Sequence, residues 1–338
     1  MISGRMSGNP FEAIGDAVLF GRLAEPRSAE TRRIAVVGDP HLATRAEGTN
    51  RVFHRSEARL EACIADCNGR DLDLVVFPGD LTKDGEPWNY DRVEALLASL
   101  EHPFVAVPGN HDLRTDGHDH DYPTARVFGD RVGGPRLDGN YPAAITLGDL
   151  EICLLNTAGD RSGAYASTHR GRLCPDQRAW LEEHLERVAE TERTPIVVCH
   201  HNPIPLVGSF LRDTRPWNTF TLRERARVQP LLERQAVPLI VSGHHHLPAL
   251  SREHGIAQLI APALASYPQA YCLLELGPDG TAIWLVSVAD ASERAEAHDL
   301  AVSGGPFYRT LLGLTETTLG DLPLVTESSP LETTLVSE

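Results

Sequence analysis

Lysine is nearly missing from this chain: Lys83 is the single one among 31 basic residues, and Asp plus Glu outnumber Lys plus Arg by 47 to 31. The formal charge of −16 and a pI near 5.4 exclude a general nucleic-acid binder, because phosphate backbones attract basic surfaces. No two of the six cysteines form a CxxC pair, which removes the usual thiolate metal sites. Four of them lie in apolar or helical runs where free thiols are common, so we expect a reducing compartment. Long hydrophobic runs are lacking too. No window approaches a membrane span, and the apolar patch of Met1 to Arg22 is interrupted by Glu12 and Asp16, unlike a signal peptide. A cytoplasmic protein without a membrane partner is the expectation.

Short β-branched apolar runs are plentiful, and they alternate with helical spacing. Ile34 to Val37, Leu74 to Phe77 and Phe104 to Val107 each read as a buried strand. Between them, Leu60, Cys63, Ile64 and Cys67, then Val93, Leu96, Leu97 and Leu100, each line one face of a helix. This strand and helix alternation predicts an α/β layered domain with parallel pairing. A hairpin at Gly148-Asp149, a helix opened by Pro175, and strands at 195–199, 238–241, 256–260, 271–276 and 282–288 extend the domain over residues 32–289. Residues 1–31 read as a leader that packs at most as a short helix. Residues 290–338, acidic and rich in Ser and Thr, read as a partly disordered tail.

Five of the strands end in polar residues of one chemical kind. Ile34 to Val37 leads to Asp39 and His41, Leu74 to Phe77 to Asp80, and Phe104 to Val107 to Asn110, His111 and Asp112. Ile196 to Cys199 leads to His200 and His201, and Leu239 to Val241 to His244, His245 and His246. An oxygen and imidazole set without thiolates suits Mn, Fe, Zn or Co. So many donors exceed what one tetrahedral ion can use. A central carboxylate such as Asp80 can bridge two ions about 3.5 to 4 Å apart. A lone strand-end histidine is more often structural than a ligand, and the case rests on all of them together.

Asp39-x-His41, Gly79-Asp80, Gly109-Asn-His-Asp112, His200 at a strand end and Gly243-His-x-His246, in this order, resemble the calcineurin-like metallophosphoesterase superfamily. The resemblance implies an α/β fold, a four-layer α-β-β-α sandwich of two mixed sheets. It implies that Asp39, His41 and His246 hold one metal and Asn110, His200 and His244 another, with Asp80 bridging. His111 would face the substrate, oriented by Asp112, and both would be catalytic. Lys83, three residues after Asp80, departs from the tyrosine of purple acid phosphatases, and the absence of an Asp-Arg-Gly pattern disfavours protein Ser/Thr phosphatases. The run from Gly79 to Glu86 and the Pro-Gly-Asn-His-Asp version look most like class III cyclic nucleotide phosphodiesterases. Asn156-Thr157 and Asn202 depart from that pattern, so the substrate cleft is expected to differ.

The implied activity is hydrolysis of a small-molecule phosphodiester, a cyclic nucleotide or glycerophosphodiester, by a hydroxide held between two divalent or trivalent ions. Two divalent ions with Asp39, Asp80 and a hydroxide leave about +1, which matches a singly charged diester. Phosphomonoesterase or nuclease action on the same centre is the rival, and a non-catalytic scaffold would show eroded ligands. Arg114 and His201 are the substrate-contact candidates. The segment from Leu113 to Tyr141 reads as a lid and the loop from Ile204 to Thr221 as a second specificity element.

Overall fold

A computed structural model of the chain describes residues 10–46, 49–113, 123–134, 140–159, 170–206 and 220–324. Within them, twelve strands form two six-stranded mixed sheets. The first has the order β1 (Ala17–Leu23), β12 (Gly280–Ser287), β11 (Ala270–Gly277), β2 (Arg32–Val36), β3 (Leu74–Phe77) and β4 (Phe104–Ala106). In it β2, β3 and β4 run parallel, while β11 and β12 are antiparallel to their neighbours. The second has the order β5 (Ala143–Leu147), β6 (Leu150–Leu154), β7 (Thr194–Val198), β8 (Leu239–Ser242), β10 (Ile256–Ile260) and β9 (Ala249–Glu253). Its inner four strands, β6, β7, β8 and β10, are parallel.

The charge-free runs form strands because they are buried on both faces, where period-2 alternation sends successive side chains to two different cores. Ile196 and Val198 of β7 join the core between the sheets. Val197 and Cys199 join the outer one, against Leu181 and Leu185 of α4 (Pro175–Ala189) and Leu231 and Leu232 of α5 (Arg225–Arg234). On the other sheet, α1 (Ser56–Asn68) lays Leu60, Cys63, Ile64 and Cys67 into the main core, and α2 (Pro87–Leu97) adds Val93, Leu96 and Leu97. Helices and two sheets thus stack as the expected sandwich. The five motif-bearing strands, three from one sheet and two from the other, all deliver their C-terminal ends to one place.

Three segments differ from the sequence-based expectation. The leader supplies β1, an edge strand whose partner β12 lies more than 250 residues away, a pairing that local pattern cannot reveal. Its connection is tied down where Ser28 Oγ and the Ala29 amide donate to Asp149, each at 2.6 Å. These bonds lower the Asp149 pKa against the effect of burial. A carboxylate so lowered stabilises the fold above its unfolded pKa, about 4, and the contribution is lost as pH falls through the native value. Asp149→Ala is therefore expected to lower the melting temperature by roughly 2 °C at neutral pH. Melting curves of the two proteins should converge below about pH 3, and a pH-independent gap would show that the charge contributes nothing.

The irregular region after Asp112 contains α3 (Ala125–Val132), N-capped by Thr124 accepting from the Val127 amide at 3.3 Å. Residues 114–122 and 135–139 of the lid, with Arg114 and the acidic stretch Asp116 to Asp121, and residues 207–219 of the second expected specificity loop lie outside the described residues. The segment from 290, read as a tail, carries α6 (Ala291–Ser303) and α7 (Pro306–Gly320). A capping box starts α6: Asp290 accepts from the Glu293 amide at 2.9 Å and Glu293 accepts from the Asp290 amide at 2.8 Å. One ion pair and two hydrogen bonds from a buried arginine then dock it. Arg59 donates to Glu293 at 2.7 Å, and the fully buried Arg294 donates to Ser287 Oγ at 2.9 Å and to the Phe11 carbonyl at 3.0 Å.

Candidate metal centre

The turns after β2, β3 and β8 are unusual in one backbone property. Asp39, His41, Asp80, His244 and His246 all adopt positive φ, between 43° and 73°, and they are five of the eight non-glycine residues that do so among the described residues. The left-handed region is costly for such side chains and is held only where the surroundings over-determine it, most often at functional sites. Here the restraints are visible. The His41 amide donates to the Asp80 carbonyl at 2.9 Å, the His244 amide to Asp39 Oδ1 at 3.0 Å, and the His111 amide to Asp80 Oδ1 at 2.8 Å.

These turns gather the donors into two groups, each with its ligand atoms within 4.8 Å of one another: Asp39, His41, Asp80 and His246 in one, and His200, His201 and His244 in the other. In the first, His41 Nε2 and His246 Nε2 face each other at 2.9 Å. Asp80 Oδ2 lies 3.5 Å from His41 Nε2, and Asp39 Oδ1 lies 3.4 Å from His246 Nε2. In the second, His200 Nε2 is 3.2 Å from Asn110 Oδ1 and also 3.2 Å from Asp80 Oδ2. Asp80 stands between the groups and touches both.

The donor chemistry fits cations. Burial lowers the pKa of His41, His244 and His246, leaving neutral rings with lone pairs, the form that ligates metal. His200 behaves oppositely. Burial opposes its charge, yet Asp80, and behind it Asp39, raise its pKa to about 9, so the two carboxylates draw positive charge to this point. The His200 Nδ1–H donates to the Pro78 carbonyl at 2.9 Å, which fixes the tautomer that offers Nε2 inward. Two inward-facing imidazole nitrogens at 2.9 Å, flanked by buried carboxylates, are an arrangement that a shared cation satisfies and water-free protein does not.

The motif glycines serve close approach. A Cβ on Gly109 would stand 2.1 Å from Asp80 Oδ1, and one on Gly243 2.5 Å from Asp39 Oδ2. At Gly79, with φ of 109°, it would meet the Gly109 amide and His200 Nδ1 at 2.7 Å each. The glycines are required because backbone and carboxylate share that space.

Two expected roles are corrected. Asp112 does not orient His111. It is fully buried and accepts from the Thr82 amide at 2.8 Å, Thr82 Oγ1 at 3.0 Å and the Gly109 amide at 3.0 Å, which pins the Asp80 loop to the Asn110 loop. Burial and the nearby Asp80 push its pKa up to about 7 against those donors. The group beside His111 is Asp84, 3.0 Å from Nδ1, with the Lys83 carbonyl at 2.6 Å. Hydrogen bonds from His111 and Lys83 outweigh burial and hold Asp84 down to about 2, so it remains ionised. Lys83 itself pairs with Asp84 and lies 5.3 Å from the Phe53 ring centre, away from the donors. Asp84 was present in the sequence as a member of Gly79 to Glu86. Its role depends on the loop folding back, which spacing cannot show.

His201 is the second correction. Read from the sequence, it is a structural or substrate-contact residue and not a ligand. Past Val198 the chain leaves strand geometry, alternation ends, and the ring lies fully buried within the second donor group, 4.5 Å from the His244 ring centre. Its Nδ1 meets Thr157 Oγ1 at 2.9 Å, so the departure Asn156-Thr157 supports this ring.

Above the donors opens a cleft of about 230 Å³, lined by Asp80, Asn110, His111 and the three histidines 244 to 246 on one side. Its further walls come from residues that sequence reasoning missed: Arg51, Phe220 and, from α7, Phe307, Tyr308 and Leu311. No helix among the described residues is long and apolar enough to cross a membrane.

Residues 32–248 match the family model described as calcineurin-like phosphoesterase. A probable cyclic nucleotide phosphodiesterase of Synechococcus is 27% identical over 75% of this chain and 91% of its own length. A cAMP/cGMP dual specificity phosphodiesterase of Mycobacterium tuberculosis is 30% identical over 67% of this chain and 65% of its own. Among solved structures, a dimetal phosphatase from Danio rerio superposes with a TM-score of 0.61 over 77% of this chain and 97% of that one, at 14% identity.

Proposed function

This chain belongs to the calcineurin-like phosphoesterase family, a family of metal-dependent phosphoester hydrolases, and from that premise we propose that it hydrolyses the phosphodiester of cyclic nucleotides in the cytoplasm. The observation that carries the reading is the position of Asp80, in contact with His41 of one donor group and His200 of the other. Asp39, His41 and His246 would hold one divalent ion, Asn110, His200 and His244 a second, and Asp80 both. When bound, the ions supply charge to a phosphoryl oxygen and acidify a water so that it serves as nucleophile near neutral pH.

His111 does the work the chain itself contributes. Burial disfavours its charge, but Asp80 and the bond to Asp84 raise its pKa above the ordinary value. With Nδ1–H donating to the Lys83 carbonyl and Asp84, the charged ring presents Nε2–H to the cleft it lines. From there it can donate to the leaving oxygen as general acid. Asp84 fixes the tautomer and balances the charge.

The relatives named above act, by their names, on cyclic nucleotides, and the charge of the site suits a monoanionic diester. The Mn-loaded protein is expected to hydrolyse cyclic AMP and bis(p-nitrophenyl) phosphate with kcat/KM roughly tenfold or more above that for p-nitrophenyl phosphate. A monoester preference would favour the phosphomonoesterase alternative. Neither bound metal nor turnover with Mn, Fe, Zn or Co would sink the enzymatic reading.

A further inference from the structure

The lining of the cleft has two chemically different parts, and one of them draws on residues outside the region matched by the family. Next to the donors stands Arg51. Its Nε is buried and donates to nothing, and among the described residues no carboxylate pairs with it; its guanidinium lies 5.7 Å from the Phe53 ring centre. A buried, unpaired guanidinium nitrogen is costly and calls for an anion. It faces the same space as His111 and Asn110.

The other part of the lining is aromatic. Phe220 packs 5.9 Å from the ring of His244 and 5.8 Å from Phe307, and Phe307 meets Tyr308 edge-on at 5.3 Å. These contacts form a continuous ring surface from the donor cluster to the first turn of α7. Phe307 is 38% exposed, one of four large exposed apolar residues among those described, and it lines the cleft. Residues 32–248 contain the family match, so α7 is an addition to the matched region that reaches back over the site.

We propose that α7 makes this cleft selective for phosphoesters bearing a planar ring: the phosphate seats between the donor cluster and Arg51, and the ring stacks on Phe307 and Phe220. The proposal rests on the phosphoester reading of this site and adds the part of the substrate that is not phosphate. Stacking of a base on an aromatic side chain strengthens binding by roughly fivefold to a hundredfold, whereas a charge contact to phosphate is shared by every phosphoester.

Calorimetric binding to the Mn-loaded protein separates these contributions without requiring turnover. AMP, the ring-bearing product of cyclic AMP hydrolysis, is expected to bind roughly tenfold or more tightly than inorganic phosphate. Phe307→Ala and Phe307→Leu should bring the two affinities to within about twofold, while Phe307→Tyr retains the preference. Arg51→Met should weaken both ligands together by about tenfold. Equal affinity for AMP and phosphate in the unmodified protein would overturn the proposal, as would an undiminished AMP preference in both Phe307→Ala and Phe307→Leu. Absent hydrolysis of cyclic AMP alongside a Phe307-dependent preference would instead overturn the diesterase reading and leave the ring site standing.

Discussion

Asp80→Ala is expected to release bound metal from the protein and to reduce hydrolysis by at least about a thousandfold. Asp80 touches a histidine of each donor group, so its removal deprives both proposed ion sites of a carboxylate at once. It also removes the acceptor of the 2.8 Å bond from the His111 amide, which would displace the ring as well. Asp80→Asn retains shape and one acceptor while losing the charge, and should give nearly the same metal loss with less structural disturbance. Metal content by elemental analysis, read beside circular dichroism and turnover, is the measurement. Two ions retained per chain in Asp80→Asn, with normal turnover, would mean that the two groups do not share this carboxylate.

His111→Ala is expected to behave oppositely, with metal kept and kcat reduced by about a hundredfold to ten-thousandfold. Its ring contributes no atom to either donor group, and its Nδ1 is committed to the Lys83 carbonyl and Asp84. The loss should be largest for substrates with a poor leaving group, since p-nitrophenolate needs little protonation. Asp84→Asn, which removes the charge beside Nδ1 but leaves the ring, should reduce kcat by about tenfold with little change in KM. Metal loss in His111→Ala would reassign the ring as a ligand. A null effect of Asp84→Asn, with a large one from a Thr82 variant that frees Asp112, would restore Asp112 as the orienting acid.

The chain order of the donors was legible because it is a local matter. An apolar run that must be buried on both faces ends where the sheet ends, and the polar residues immediately after it fall at the sheet edge by covalent connection alone. That reasoning reached Asp39, His41, Asp80, Asn110, His200, His244 and His246 without knowledge of how the two sheets face each other. The α1, α2 and α4 helices were legible on the same ground, their apolar spacing being a property of a dozen consecutive residues.

Tertiary structure decided what depends on distant segments meeting. Asp84 rather than Asp112 attends His111 because the loop after β3 folds back over the Asn110 loop, and an acid in one motif cannot be assigned to a ring in another by sequence position. Gly109 is required by an oxygen of Asp80, 29 positions earlier, and by no turn of its own. The leader read as at most a short helix and the tail, on its acidic Ser- and Thr-rich composition, as partly disordered, yet β1 is completed by β12, and α6 by Arg59 and Ser287. The sequence by itself therefore determined which donor side chains follow the buried strands and in what order they occur. Packing over long sequence separations determined which acid stands beside the His111 ring and which residues wall the cleft, because hydrogen bonds and ring contacts act over a few ångströms in space whatever the distance along the chain.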